Sequence, residues 1–415
     1  MHLISLNIPD LLIPLWRGTF DCDPADDTST WPWAVLVDDV WEEFGKRIAA
    51  ITPYLPGCYD RPPRNPAEKI NSGYKAWEFT LLLYGLGPMV LYGILPMVYW
   101  IHFCKLVRAV RLISQHTITR EELTEAAILF VDFIEEFEDL YYQRKPECLH
   151  FTRQSIHALS HYANEVVTKG PLICASQWTM ERTIGNLVSE IRQPSNLYAN
   201  LAQRALRRAQ HNALLVMAPS LDPDAHKPLF PKWSKEIGGG YALLKAQERY
   251  RHHTTTAEGL AISQFLQKHH PHSPDLSLFR ADGAYRACRW ARLRLSSGIT
   301  SRSMFSHREN KPNARRGRMA KVSAQASEPL ALVSVFGHPR IDLLEESSGT
   351  YFACKHLGDN GLAVVKATTI NSVVSMIPHL LDGEEYWYMF EKPGMDVADL
   401  GGFFEGGEEG EDGDE

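Results

Sequence analysis

The chain has 415 residues, of which 44% are hydrophobic and 22% charged, with a formal net charge of -7. That length supports two or three domains with a sizeable core, and the ordinary composition excludes a disordered or fibrous protein. Seven cysteines scattered without a CxxC exclude a disulfide framework and point to a reducing, intracellular compartment.

The start, MHLISLNIPDLLIPLWRG, has no basic leader and is interrupted by Pro9, Asp10 and Pro14. It reads as the interior of a fold, not as a signal peptide. An acidic, turn-rich DCDPADDTSTWPW leads into the helical pattern VLVDDVWEEFGKRIAAI, and residues 51–74, with five prolines, form an extended connector. From Phe79 to Cys104 no residue carries a formal charge, and the run is long enough to span a bilayer. Gly85, Gly87, Pro88, Gly93 and Pro96 cut it into pieces of about ten residues, the length of buried core helices. A buried core is the preferred reading, with a membrane anchor through residues 79–104 as the less favoured alternative.

Thr119 with Glu122 forms a capping box that opens an amphipathic helix striped by Leu123, Ala127, Phe130, Ile134 and Phe137. A second helix, HFTRQSIHALSHYANEVVTKG, ends near Gly170; a third, SQWTMERTIGNLVSEIRQ, is stopped by Pro194. A fourth, NLYANLAQRALRRAQHNALLVMA, carries Arg204, Arg207 and Arg208 on one flank. Residues 221–328 read as an irregular basic linker region, within which YRACRWARLRLSSG shows strand-like alternation. Short apolar runs over 329–400 predict a small β domain, and 401–415 a disordered acidic tail.

No phosphate loop, GxGxxG, GxSxG or HExxH is present. His157 and His161, four apart, share one helix face and supply half of a tetrahedral zinc site, with Cys22 the one nearby thiol. The plain alternative is a pair of structural histidines. Glu181 lies in the first turn of its helix, where the macrodipole favours any carboxylate, so taken alone it reads as a helix-start charge. Arg204, Arg207 and Arg208, then Arg286, Arg289, Arg292 and Arg294, then Arg315, Arg316, Arg318 and Lys321 would suit a nucleic-acid backbone or simply a solvated face.

The ordered set RPPRNPAEKINSGYKAWEF, YGLGP, FCKLVRAVRLI, ITREEL, FIEEFEDLYYQR, HFTRQSIHALSH, SQWTMERTIGNLVSEIRQPSN and RALRRAQHNAL resembles the C-terminal part of Tnp2-type, CACTA-like transposases of the Plavaka group, abundant in fungal genomes. The likeness covers residues 1–220 and continues more weakly through RWARLRL, LALVSVF and SVVSMIPH. It implies a nuclear DDE transposase, whose RNase H-like fold holds Mg²⁺ ions on three carboxylates for phosphoryl transfer on transposon ends.

The family's Glu-Arg motif matches Glu181 and Arg182, making Glu181 the expected third acid with Arg182 in support. Glu78 in KAWEF is the lesser candidate. Met1 and His2 match the end of the family's Asp-x-Met-His motif, which places the second acid just before Met1 and the first further upstream; Asp10, Asp21 and Asp23 do not fit. On this expectation the chain is a transposase fragment without activity of its own. Related transposases and the RAG-type recombinase pair such histidines with a CxxC around structural Zn²⁺, and that CxxC is missing here.

The expected fold class is α+β: an incomplete RNase H-like core (1–60), a large helical insertion (61–176), the final-acid helix with the basic helix (177–220), the linker region, the β domain and the tail. DNA is the expected partner, a homo-oligomer is compatible, and no small-molecule substrate is expected. A non-catalytic DNA-binding or scaffold protein derived from a transposon is the alternative.

Overall fold

The computed structural model describes residues 2–22, 26–59, 62–172, 176–191, 195–222, 230–269, 285–302, 321–323 and 329–392. The fold is α+β, helical up to residue 221 and mainly stranded from 235 to 391. Its centre is the helix Met97–Ile113. This helix is apolar nearly all round and buries Trp100, Phe103, Leu106, Val107 and Val110, as a helix must when other elements surround it.

Against it packs Arg120–Phe137, opened by a complete capping box: Thr119 N–H donates to Glu122 Oε2 (2.8 Å), and Glu122 N–H to Thr119 Oγ1 (3.2 Å). The buried stripe is Ala126, Phe130, Phe133 and Phe137, while the expected Leu123, Ala127 and Ile134 flank it half-buried. His102 is buried between the two helices, its ring stacked on Phe133 at 4.2 Å and its Nε2 2.9 Å from the Phe133 carbonyl. Burial lowers its pKa to about 4, so the ring is neutral and Nε2–H donates.

The uncharged run divides as its glycines and prolines require, into Ala76–Thr80, a π-helical Leu81–Leu86, Gly87–Val90 and the start of the central helix. Among the described residues no helix is long and apolar enough to cross a membrane. Two of the glycines permit close packing: a Cβ on Gly87 would stand 2.7 Å from Phe103 Cζ, and one on Gly85 3.1 Å from Phe390 Cε2.

Phe390 belongs to a four-stranded antiparallel sheet ordered Val374–Leu381, Glu384–Glu391, Phe352–His356, Phe336–Pro339. Its Ile377, Tyr388 and Phe390 join the same apolar cluster as the helices, so one core spans residues 8–166 and 343–390. Arg111 ties the two together. Its guanidinium donates to the carbonyls of Tyr84 (2.7 Å), Gly85 (3.0 Å) and Thr350 (3.1 Å) and to the Tyr388 hydroxyl (2.9 Å). A planar fork of donors suits four acceptors, two in the turn Leu81–Leu86, one in the loop before Phe352–His356 and one on Glu384–Glu391.

The linker expected at 221–328 holds strands and a helix where it is described. A seven-stranded sheet runs Lys235–Gly238, Tyr241–Gln247, Trp290–Arg294, Lys321–Ser323, Leu330–Ser334, Leu362–Lys366, with Thr300–Arg302 also on Trp290–Arg294. Tyr241, Leu243, Trp290, Leu293 and Leu295 form its core, and the helix Thr256–His269 packs Ile262, Phe265 and Leu266 against Leu330. Strands this short carry little local signal, and some of their partners lie far off in sequence, Ala242 opposite Arg294 and Leu243 opposite Leu293. The tail at 401–415 lies outside the described residues.

Candidate active site

Three positions singled out in the sequence meet at one open cavity of 630 Å³: His2, Glu78 and Glu181. His2 precedes the π-helical turn Leu3–Asn7, which is tied to the Glu78 helix by Thr80 Oγ1–Ser5 Oγ (2.9 Å) and by Tyr84 OH donating to Ile4 O (2.9 Å). Glu181 comes from the helix Trp178–Ser189, entering after Gln177, whose carbonyl accepts the Glu181 N–H at 2.9 Å. Trp77 and Trp178, both half-buried, wall the cavity together with the exposed Lys75.

The two glutamates differ in what surrounds them. Glu78 is fully buried and accepts four hydrogen bonds: from Arg64 Nε (2.8 Å), Arg64 Nη2 (2.6 Å), Arg64 N–H (3.1 Å) and Lys75 N–H (2.9 Å). Burial alone would raise its pKa, but the Arg64 and backbone donors outweigh it and hold the carboxyl below the ordinary 4.5. With its lone-pair sites filled, Glu78 fixes the entry of the RPPRNP connector to its helix, and its geometry is that of a structural carboxylate. Glu181 is exposed and turned to the cavity, which leaves it as the carboxylate there with room for a cation. Arg182 is exposed on the same helix. One open carboxylate and an imidazole fit part of a divalent-metal site, and among the described residues no three metal-ligating side chains cluster.

The histidine helix is broken. It forms Gln154–Leu159 and Tyr162–Lys169, with Ser160 and His161 in the turn between, and stops at Gly170 in a positive-φ conformation (φ 79°). His157 and His161 nevertheless meet, Nε2 to Nε2, at 3.1 Å on the surface. Two nitrogens bound to one Zn²⁺ at about 2.0–2.1 Å stand roughly 3.3 Å apart, so this separation suits two ligands as well as one imidazole donating to another. Cys22 does not complete a group of three with them. Nearby in sequence, Asp26 Oδ2 and His150 Nε2 face each other at 3.3 Å, both buried, an ion-pair separation at an angle that makes no hydrogen bond.

Of the basic residues, Arg204 is half-buried and Arg207 exposed on the helix Leu197–Met217, and Arg208 pairs with Glu190 across the helix pair. Arg289 is bound to the buried Glu248, Arg292 donates to the Lys245 carbonyl (3.3 Å), and Arg294 lies 5.2 Å over Phe230. Arg315, Arg316 and Arg318 lie outside the described residues. Arg64, Lys75, Trp77 and Trp178 belong to the cavity but carried no sequence signal of chemistry. The Arg64–Glu78 pairing, across 14 positions, could have been suspected only from the long connector between them. Compared with protein-family models, with curated proteins and with solved structures, the chain finds no match.

Proposed function

We propose that residues 1–415 carry the final-acid side of a DDE transposase site, with Glu181 as the third metal-binding carboxylate. The observation that supports this is the shared cavity: His2, the last letter of the expected Asp-x-Met-His motif, and Glu181, the expected final acid, are 179 positions apart in sequence yet line the same opening. In this reading an RNase H-like core approaches through the helix Trp178–Ser189, whose Met180, Ile184 and Val188 are exposed at 52%, 49% and 55% and await an apolar partner. Bound Mg²⁺ would supply charge neutralisation at the attacking and leaving oxygens. This chain's own contribution is to place one carboxylate at the cavity mouth, to neutralise Glu78 with Arg64 so that Glu181 faces it without a competing free acid, and to wall the opening with two half-buried indoles.

One carboxylate does not hold two divalent ions, so residues 1–415 alone are expected not to nick or join DNA. The experiment is to read the frame upstream of the Met1 codon, express the extended chain, and assay Mg²⁺-dependent nicking of DNA carrying the element's ends. The expected result is an Asp two residues before Met1 (Asp-x-Met-His) and activity lost by more than about 100-fold in Glu181→Gln, because a missing metal ligand removes several kcal/mol of transition-state stabilisation. Undiminished nicking by Glu181→Gln would sink the assignment. The alternative, DNA binding without catalysis, is favoured by the exposed Lys245, Arg249, Arg251 and Arg286.

A further inference from the structure

We infer that the antiparallel ribbon of residues 241–253 and 285–294 grips the backbone of duplex DNA, chiefly through a bulge that projects Arg249, Tyr250 and Arg251. At its inner end the ribbon pairs Leu243 with Leu293 and Leu244 with Arg292; at its outer end it pairs His252 with Ala287 and His253 with Arg286. Between them the Glu248 N–H donates to Arg289 O at 2.9 Å, which leaves Cys288 alone opposite the three residues 249–251. Extra residues on one strand bend the ladder and re-aim their side chains outward. All three side chains are exposed, Tyr250 at 69%, with the Arg249 guanidinium 5.7 Å from its ring.

The charge on this ribbon is one-sided. Its two segments hold seven lysines and arginines and one carboxylate, Glu248, on a chain whose net charge is -7. That carboxylate is already taken: Glu248 is buried and receives Arg289 Nε at 2.6 Å and Arg289 N–H at 3.1 Å. Toward the tip, Arg286 Nε donates to an imidazole and not to a carboxylate, His253 Nε2 at 3.3 Å. A solvated structural face ordinarily interleaves acids with such cations, and gathering them without counter-charge costs repulsion that a polyanion reverses.

The shape selects which polyanion. Beyond the seven-stranded sheet the ribbon narrows to the two-stranded pair His252–His253 with Arg286–Ala287, and a two-stranded ribbon fits the roughly 12 Å major groove. Lys245 and Arg251 lie at most roughly 20 Å apart along an extended strand, a reach matched by successive phosphates on one DNA backbone. The exposed Tyr250 adds a stacking or sugar-packing face between the two bulge arginines. Of the arginines that strand alternation singles out, Arg289 is bound to Glu248, Arg292 to the Lys245 carbonyl and Arg294 lies over Phe230, whereas Arg286 is offered outward with Arg249, Arg251 and Lys245. This inference rests on DNA being the substrate, as proposed above, but uses none of the cavity residues.

The test is binding of the full chain to a labelled 20-base-pair duplex across salt concentrations, with a single strand of the same sequence, phosphatidylserine vesicles and an acidic peptide as competitors. Arg249→Ala with Arg251→Ala should weaken duplex binding about 30-fold at 0.15 M salt and flatten the log–log salt slope by about 1.8, two phosphate contacts' worth. Lys245→Ala with Arg286→Ala should act in the same direction. Arg289→Ala should instead lower thermal stability with the slope unchanged; the binding assay contains no Mg²⁺ and reads no nicking, so failure of the catalytic reading is told apart from failure of this one. An unchanged slope in both double variants, with circular dichroism showing the fold retained, overturns the inference. So does vesicle or peptide binding at least as tight as duplex binding.

Discussion

The helices of residues 97–137 and those of 178–217 have comparable apolar stripes but opposite fates. In the first pair Trp100, Phe103, Phe130, Phe133 and Phe137 are each 0–1% exposed; in the second pair none of the described side chains is buried, and Tyr198, Val216 and Met217 are more than 79% exposed. Amphipathicity states only that a face wants a partner. Whether it has one depends on what else the chain brings, and for the first pair that is a sheet contributed by residues more than 200 positions later. The second pair is held by Glu190–Arg208 and by the walls of the Glu181 cavity. An apolar face left open in this way marks an interaction surface.

That contrast can be broken or sharpened by substitution. Trp100→Ala removes a fully buried ring and the bond from its Nε1 to Pro88 O (2.9 Å), and should cost about 3–5 kcal/mol in urea unfolding. Acidification should strike the same core. His102 and His379 are both held near 4 by burial, against 6.5 in the unfolded chain, so between those values the unfolded state binds protons that the folded state does not. Stability is therefore full above 6.5 and falls as the pH drops toward 4, by roughly 3 kcal/mol for His102. His102→Phe should show about half the wild-type slope over that window, since His379 supplies the other half; an unchanged slope would refute the assignment.

Glu78→Ala leaves Arg64 and two backbone N–H groups without their acceptor. With Arg64 partly exposed, the expected loss is about 2–3 kcal/mol at pH 7. Because the folded carboxyl titrates below 4.5, this contribution is present above 4.5 and disappears as the pH falls through the folded value; Glu78→Ala and wild type should converge at acidic pH. Thr119→Ala, which removes one half of the capping box, should cost about 1 kcal/mol. At the small end, Ile184→Ser with Val188→Ser in the open helix should change stability by less than about 0.5 kcal/mol while reducing binding of an apolar dye. A large destabilisation there would show that the face is covered after all.

The capping box at Thr119, the helix stop at Gly170 and the breaks within the uncharged run were legible in sequence because each rests on contacts within four residues or on a backbone preference of one residue. The break at Ser160–His161 was not: a continuous apolar period hides a turn whose backbone bonds close locally. In the candidate site, Glu181 was legible through its neighbours in chain order, whereas the division of labour between Glu78 and Glu181 was not. Both are first-turn glutamates beside a tryptophan-containing apolar stripe, and only Arg64, 14 residues before Glu78, separates a saturated carboxylate from an open one. The same holds for the arginines of Trp290–Arg294. Strand alternation named them, but the Lys245 carbonyl and the Phe230 ring decide where Arg292 and Arg294 are engaged.

By itself the sequence determined the helical character of residues 75–218, the strand content near the C-terminus and the basic, unbalanced segments, since periodicity, caps and charge are properties of neighbours in the chain. Tertiary structure alone decided that one core runs through residues 8–166 and 343–390, that Arg111 joins them, and that His2 and Glu181 share a cavity. Those outcomes depend on burial and on hydrogen bonds between distant segments, which no local pattern encodes: a donor's partner is settled by which acceptor the fold carries to within 3 Å of it.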